Sequence, residues 1–104
     1  MQNITVTELK KKWDNREPFI LLDVRETFEV HYARIEPFIH IPMGFLPARI
    51  TELKKEMPVV VICHTGVRSV QVCHFLERSG FDAINVLGGI DGWSIEIDPS
   101  VPRY

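Results

Sequence analysis

The sequence contains only two cysteines, Cys63 and Cys73, among its 104 residues. Two cysteines are too few for the disulfide framework that stabilises many small secreted domains. They also lack the paired spacing of a structural zinc site, because the dipeptides Cys63-His64 and Cys73-His74 stand ten residues apart. We therefore expect neither a metal nor a cofactor in this chain.

The sequence also lacks a long apolar run and a large charge of either sign. No stretch approaches the roughly 18 consecutive apolar residues of a membrane-spanning helix, and residues 1–5 contain no apolar signal-peptide core. The formal net charge of −2 is too small to attract nucleic acid or an anionic membrane. These absences predict a cytoplasmic protein with no nucleic-acid and no membrane partner.

What the chain does contain is an alternation of short apolar runs with amphipathic segments. Strands alternating with helices predict an α/β sandwich around a mainly parallel sheet, and the length predicts one domain, residues 1–104. We predict strands at residues 19–22, 38–41, 58–62 and 83–87, and helices at residues 5–15, 26–32, 47–55 and 69–79 and after Gly88-Gly89.

Three segments with chemical potential follow predicted strands. Asp23 ends the first strand, Cys63 follows the strand at 58–62, and residues 87–89 follow the last strand. In open α/β sheets, ligands bind beyond the carboxyl ends of the strands. We therefore expect these three segments to meet at one edge of the sheet.

The most informative segment is Cys63-His64-Thr65-Gly66-Val67-Arg68-Ser69, which joins a buried strand to a predicted helix. Free N–H groups and the dipole of a helix N-terminus hold anions and lower the pKa of a thiol placed there. The segment predicts a nucleophilic thiolate at Cys63 in an anion-binding cradle, with an inert buried cysteine as the alternative. Cys73 shares an apolar helix face with Val70 and Leu76 and is interpreted as buried filler.

Charged residues around this loop are expected to have supporting roles. Arg68 places a cation at a helix N-terminus, where it opposes the helix dipole. A bound anion, or a carboxylate such as Asp23 or Glu26, would offset that conflict, so we interpret Arg68 as an electrostatic part of the site. Asp23 and Arg25 are predicted to pair and fix neighbouring loops.

The other residues of the loop have smaller predicted roles. Gly66 is expected to allow a positive φ or the close approach of a ligand. Ser69 is expected to supply a hydroxyl at the helix start, and Thr65 and Val67 are expected to contribute backbone N–H groups. His64 either assists the thiol and contacts an anionic donor or is an exposed loop histidine.

Taken in order, several motifs resemble the rhodanese domain family over almost the whole chain. They are Leu22-Asp23-Val24-Arg25-Glu26, the loop from Cys63 to Ser69, Gly80-Phe81, and Leu87-Gly88-Gly89-Ile90 with Trp93. The ending at residues 98–104 is similar to that of rhodanese modules at the end of sulfur-carrier-activating enzymes. Residues 33–38 depart from the family's Gly-His-Ile-x-Gly-Ala stretch, so a different backbone path is expected there. The resemblance implies a three-layer α/β/α sandwich around a mainly parallel five-stranded sheet.

The resemblance also implies a sulfurtransferase in which Cys63 takes a sulfane sulfur from a donor such as thiosulfate and passes it on from a persulfide. The implied partners are a small anionic sulfur donor and a thiol or cyanide-like acceptor, with a sulfur-carrier protein as a further candidate. Two alternatives stay open. One is a catalytically idle rhodanese-like binding or regulatory module, which the altered residues 33–38 favour. The other is a Cys-dependent phosphatase, which is disfavoured because four residues separate Cys63 from Arg68, whereas those enzymes carry five.

Overall fold

One parallel sheet organises the chain. The computed structural model describes residues 1–104, and its strands lie in the order β1-β5-β4-β2-β3 with every neighbouring pair parallel. The strands are β1 (Gln2–Ile4), β2 (Ile20–Asp23), β3 (Ile39–His40), β4 (Val59–Ile62) and β5 (Ala83–Val86). The predicted α/β fold and the implied five-stranded sheet are confirmed, and the sheet is wholly rather than mainly parallel.

Five α-helices connect or follow the strands. The capping box predicted at Thr5 is present, since the hydroxyl of Thr5 accepts the N–H of Glu8 at 3.1 Å and the Glu8 carboxylate accepts the Thr5 N–H at 3.0 Å. Gly80 follows the end of the fourth helix with a φ of 91°, as expected for a C-terminal glycine. The helices are α1 (Val6–Asp14), α2 (Thr27–Tyr32), α3 (Leu46–Arg49), α4 (Val67–Arg78) and α5 (Gly89–Glu96).

Two elements differ from the sequence prediction. Strand β1 was not predicted, because it has three residues and buries only Ile4, too few for a recognisable pattern. The helix predicted at residues 47–55 is wrong, since α3 ends at Arg49 and is flanked by 3-10 turns at Met43–Phe45 and Ile50–Glu52. The β-branched pair Ile50-Thr51 disfavours continuation of an α-helix there.

Apolar side chains pack on both faces of the sheet. Alternate residues of the strands face α1 and α5 on one side and α4 on the other, which makes the two outer layers of the sandwich. Cys73 lies in the core between α4 and the sheet and is fully buried, as its helical pattern indicated. No helix has both the length and the apolar content that crossing a membrane requires.

Candidate active site at the carboxyl edge of the sheet

The three segments expected at one edge of the sheet do meet there. Asp23 ends β2, Cys63 follows β4 directly, and residues 87–89 follow β5, and these strands are neighbours in the sheet. Backbone hydrogen bonds join the start of α5 to the loop after β4. The N–H of Ile90 donates to the carbonyl of Cys63 at 2.9 Å, and the N–H of Asp91 donates to that of His64 at 3.1 Å.

Backbone N–H groups converge on the sulfur of Cys63. The N–H of Gly66 lies 3.1 Å from Sγ and that of Ser69 lies 3.4 Å from it. The Cys63 thiol also donates to the hydroxyl of Ser69 at 3.3 Å. The residue is only 1% exposed, so the loop that supplies these donors also covers the sulfur.

The start of α4 determines the shape of this loop, and it lies two residues earlier than the sequence predicted. The helix starts at Val67, not at Ser69, and Gly66 is its N-cap with a φ of 104°, the positive φ expected for that glycine. The prediction that Ser69 supplies the helix-start hydroxyl is therefore wrong. Ser69 lies inside the first turn and turns toward the sulfur instead. The side chains of Thr65 and Val67 are exposed, and neither N–H donates to Sγ.

A chain of polar groups that runs from buried Ser69 and Asn85 to exposed Asn3 supports Ser69 from the sheet. Its hydroxyl donates to the side-chain oxygen of Asn85, and the amide of Asn85 donates to the side chain of Asn3 at 3.0 Å. Sequence reasoning missed Asn85. The signal was an amide within the otherwise apolar strand Ala83–Val86, where a polar group needs a buried partner.

Asp23 and Arg25 form the predicted pair next to the loop. Arg25 Nε lies 2.9 Å from Oδ1 of Asp23, and Nη2 lies 2.7 Å from Oδ2. Nη2 also donates to the carbonyl of Ala33 at 2.6 Å, where α2 ends. Arg25 is fully buried, and all of its contacts join loops and helix ends rather than facing the sulfur.

Arg68 also has a carboxylate partner, but it is neither of the two suggested from the sequence. Its Nη1 and Nη2 lie 2.6 and 2.8 Å from the two carboxylate oxygens of Glu29 in α2. Asp23 is already engaged by Arg25, whereas Glu29 projects from the first turn of α2 toward Arg68. This ion pair raises the pKa of the Arg68 guanidinium and, together with neighbouring donors, lowers the pKa of Glu29 to about 2.

The low pKa of Glu29 predicts a specific loss of stability in acid. Its pKa falls from an ordinary 4.5 to about 2 on folding, so the stabilisation is complete above pH 4.5 and is lost as the pH falls toward 2. Between pH 7 and about pH 3.5, we expect the wild type to lose about 1 kcal/mol more than Glu29→Gln does. Urea denaturation at both pH values measures this. Glu26→Gln, which alters an exposed carboxylate, should behave as the wild type, and an equal acid loss in Glu29→Gln would contradict the assignment.

Tyr104 covers the side of the loop. Its ring stacks on that of His64 with centroids 4.0 Å apart and an angle of 9° between the planes. Its hydroxyl donates to Glu29 at 2.7 Å and accepts from Nη1 of Arg25 at 2.9 Å. Burial and the Glu29 hydrogen bond raise the pKa of Tyr104 to about 12, so the phenol stays protonated. His64 is thus a half-buried partner of Tyr104, and its ring makes no hydrogen bond to Cys63.

Comparison with known proteins agrees with this architecture. The family model described as the rhodanese-like domain matches residues 5–96. YtwF of Bacillus subtilis, provisionally named a sulfurtransferase, is 38% identical over 95% of this chain and 96% of its own length. A sulfurtransferase of Allochromatium vinosum is 30% identical over 90% of this chain and 89% of its own. The crystal structure of a rhodanese-like domain protein from Staphylococcus aureus superimposes with a TM-score of 0.88 at 34% identity, covering 100% of this chain and 99% of that one.

The family model spans most of the chain, and the first of these relatives is matched along nearly its whole length. The chain therefore belongs to the rhodanese-like sulfurtransferase family.

Proposed function

We propose that this protein transfers a sulfane sulfur through a persulfide on Cys63. The proposal is carried by one observation, the convergence of the Gly66 and Ser69 N–H groups on a sulfur at the start of α4. Sulfur transfer requires a thiolate, because the thiol is a poor nucleophile. Backbone donors that are fixed before the reaction stabilise a negative sulfur without any reorganisation.

The proposed reaction has two displacements at sulfur. The Cys63 thiolate attacks the sulfane sulfur of a donor such as thiosulfate, the donor's S–S bond breaks, and sulfite leaves with the bonding electrons. An acceptor thiolate or cyanide then attacks the outer sulfur of the persulfide and releases the Cys63 thiolate. Because the enzyme is modified between two half-reactions, the kinetics should be ping-pong. A sulfur-carrier protein is a candidate acceptor in place of a small thiol.

The loop geometry favours this reaction over phosphate chemistry. A phosphatase of this general type needs the loop arginine to hold the phosphoryl oxygens. Here both terminal nitrogens of Arg68 are bound to Glu29, and four residues rather than five separate Arg68 from Cys63. The same loop retains the cysteine and its N–H donors, which supports an active rather than an idle module.

Intact mass spectrometry tests the proposal directly. The wild-type protein, incubated with thiosulfate or glutathione persulfide and then desalted, should gain about 32 mass units, one sulfur atom, and a digest of the same sample should place that mass in the peptide that contains Cys63. Addition of cyanide should remove that mass and release thiocyanate. A protein that gains no sulfur from either donor, or gains it only at Cys73, would overturn the proposal.

A further inference from the structure

We infer that this site takes its sulfur from the persulfide of a thiol in preference to thiosulfate, because the arginine of its loop is already neutralised by Glu29. The inference rests on the proposed function and narrows its donor. A loop arginine is the obvious group to attract a dianionic donor. In this chain that arginine is occupied.

The contact between Arg68 and Glu29 offsets the charge of the guanidinium through both of its terminal nitrogens. Both terminal nitrogens are bound, at 2.6 and 2.8 Å, to the two oxygens of one carboxylate. This two-pronged arrangement is the strongest that an arginine makes with a carboxylate. Glu29 is only 5% exposed and is held by two more donors, the backbone N–H of Glu26 at 3.0 Å and the hydroxyl of Tyr104 at 2.7 Å. An anion that reaches the exposed part of the Arg68 side chain, which is about 30% of it, therefore meets a guanidinium whose charge Glu29 already offsets.

The second arginine at this edge is neutralised in the same way. Arg25 is fully buried and is bound through Nε and Nη2 to Asp23. The hydroxyl of Tyr104 links the two ion pairs, since it accepts from Arg25 and donates to Glu29. The cluster of Asp23, Arg25, Glu29 and Arg68 therefore holds two positive and two negative charges, and its net charge is zero.

No other lysine or arginine places an unpaired positive charge at the carboxyl edge of the sheet. Arg34, Arg49 and Arg103 are each paired with a carboxylate, as are Lys10 and Lys12 of α1. The cations without an ion-pair partner lie on α1, at the last residue of α4, or in the segments that lead into the amino ends of β2 and β4. They are Lys11, Arg16, Lys54, Lys55 and Arg78. A dianion that approaches Cys63 thus meets backbone dipoles and a neutral cluster of side chains.

The charge of the donor then decides which transfer is favoured. With thiosulfate, the Cys63 thiolate meets two negative charges, and the products are the Cys63 persulfide anion and sulfite. With a thiol persulfide, R–S–S⁻, it meets one. The bond between the two donor sulfurs breaks, the outer sulfur joins Cys63, and the thiolate R–S⁻ leaves with the electron pair. No oxidant or reductant is needed in either case, and the persulfide reaction brings less negative charge to the same uncompensated site.

The test measures the rate constant of Cys63 persulfide formation, by quenched intact mass spectrometry, with thiosulfate and with the persulfide of 2-mercaptoethanol, whose only charge is on the persulfide. Each value is divided by that of the same donor with free cysteine, which removes the difference in intrinsic reactivity. We expect the normalised constant for the 2-mercaptoethanol persulfide to exceed that for thiosulfate by at least about tenfold. In Glu29→Gln, which frees the charge of Arg68, the constant for thiosulfate should rise several-fold and the preference should shrink. Glu26→Gln removes an exposed carboxylate from the same helix start and should change neither constant.

Salt dependence of the wild type provides the same answer without a variant. The rate constant with thiosulfate should stay level or rise as KCl increases from about 0.02 to 0.3 M. Salt screens the repulsion between thiosulfate and the Cys63 thiolate, and the neutralised Arg68 provides no attraction that screening could weaken. A constant that falls with salt, or equal normalised constants for the two donors, would overturn the donor assignment alone. Absence of sulfur on Cys63 with both donors would instead overturn the proposed function.

Discussion

Replacing Cys63 with serine is expected to abolish persulfide formation and sulfur transfer while leaving the fold in place. A serine hydroxyl is not ionised at neutral pH and cannot hold a sulfane sulfur through an S–S bond. The hydroxyl can still accept the N–H groups of Gly66 and Ser69 that now point at Sγ. We therefore expect the free energy of unfolding to change by only about 1 kcal/mol, with transfer falling to the rate of the reaction without protein.

Cys73→Ala is the matched control for that variant. Burial raises the pKa of the Cys73 thiol to about 12, so this thiol is not ionised at neutral pH. The control should keep the wild-type rate of transfer, and iodoacetamide at neutral pH should modify the wild type once, at Cys63. Measurable sulfur transfer by Cys63→Ser would remove Cys63 from the mechanism. So would a loss of transfer in Cys73→Ala that Cys63→Ser does not show.

The sequence patterns were sufficient for the layers of the fold and for the position of the cysteine. Buried parallel strands have continuous apolar runs, and residues 59–62 show this directly, whereas residues 83–86 are interrupted by Asn85. Because strand ends in a parallel sheet share one edge, placing Cys63 after β4 also placed it beside residues 87–89. Strand β1 and the broken segment around α3 escaped prediction, because short elements are decided by the sheet edge and the core against which they pack.

Contacts around Cys63 that join residues close in sequence could be predicted, whereas contacts between residues far apart in sequence could not. Asp23 and Arg25 are two residues apart and could be paired from the sequence. Arg68 and Glu29 are 39 residues apart, and Tyr104 and Glu29 are 75 apart. Several carboxylates follow β2, and only the orientation of α2 in three dimensions determines which one meets Arg68. Local chemistry was thus readable from the sequence, whereas the charge balance of the site was not.

Replacing Gly89 with alanine is expected to disrupt the loop that carries Cys63. A Cβ atom on Gly89 would lie 2.5 Å from the carbonyl oxygens of both Cys63 and His64, and its φ of 58° already disfavours a side chain. These carbonyls accept the first N–H groups of α5, so neither partner can withdraw without breaking a hydrogen bond. We expect a loss of at least about 3 kcal/mol in unfolding free energy and a fall of about a hundredfold in sulfur transfer, since the loop must shift.

Two glycines of the same chain separate the causes of that effect. Gly88 has a φ of 82°, but its added Cβ would meet nothing closer than 3.6 Å, so Gly88→Ala reports the backbone strain alone, about 1 kcal/mol. Gly44 has open space around it and no positive φ, so Gly44→Ala should be close to neutral. Urea denaturation and the rate of Cys63 persulfide formation would be measured for all three variants. If Gly88→Ala and Gly89→Ala lost the same stability and activity, contact with the backbone of the cysteine loop would not be what requires glycine at position 89. A larger loss in Gly89→Ala would mean that the start of α5 fixes the position of the reactive sulfur.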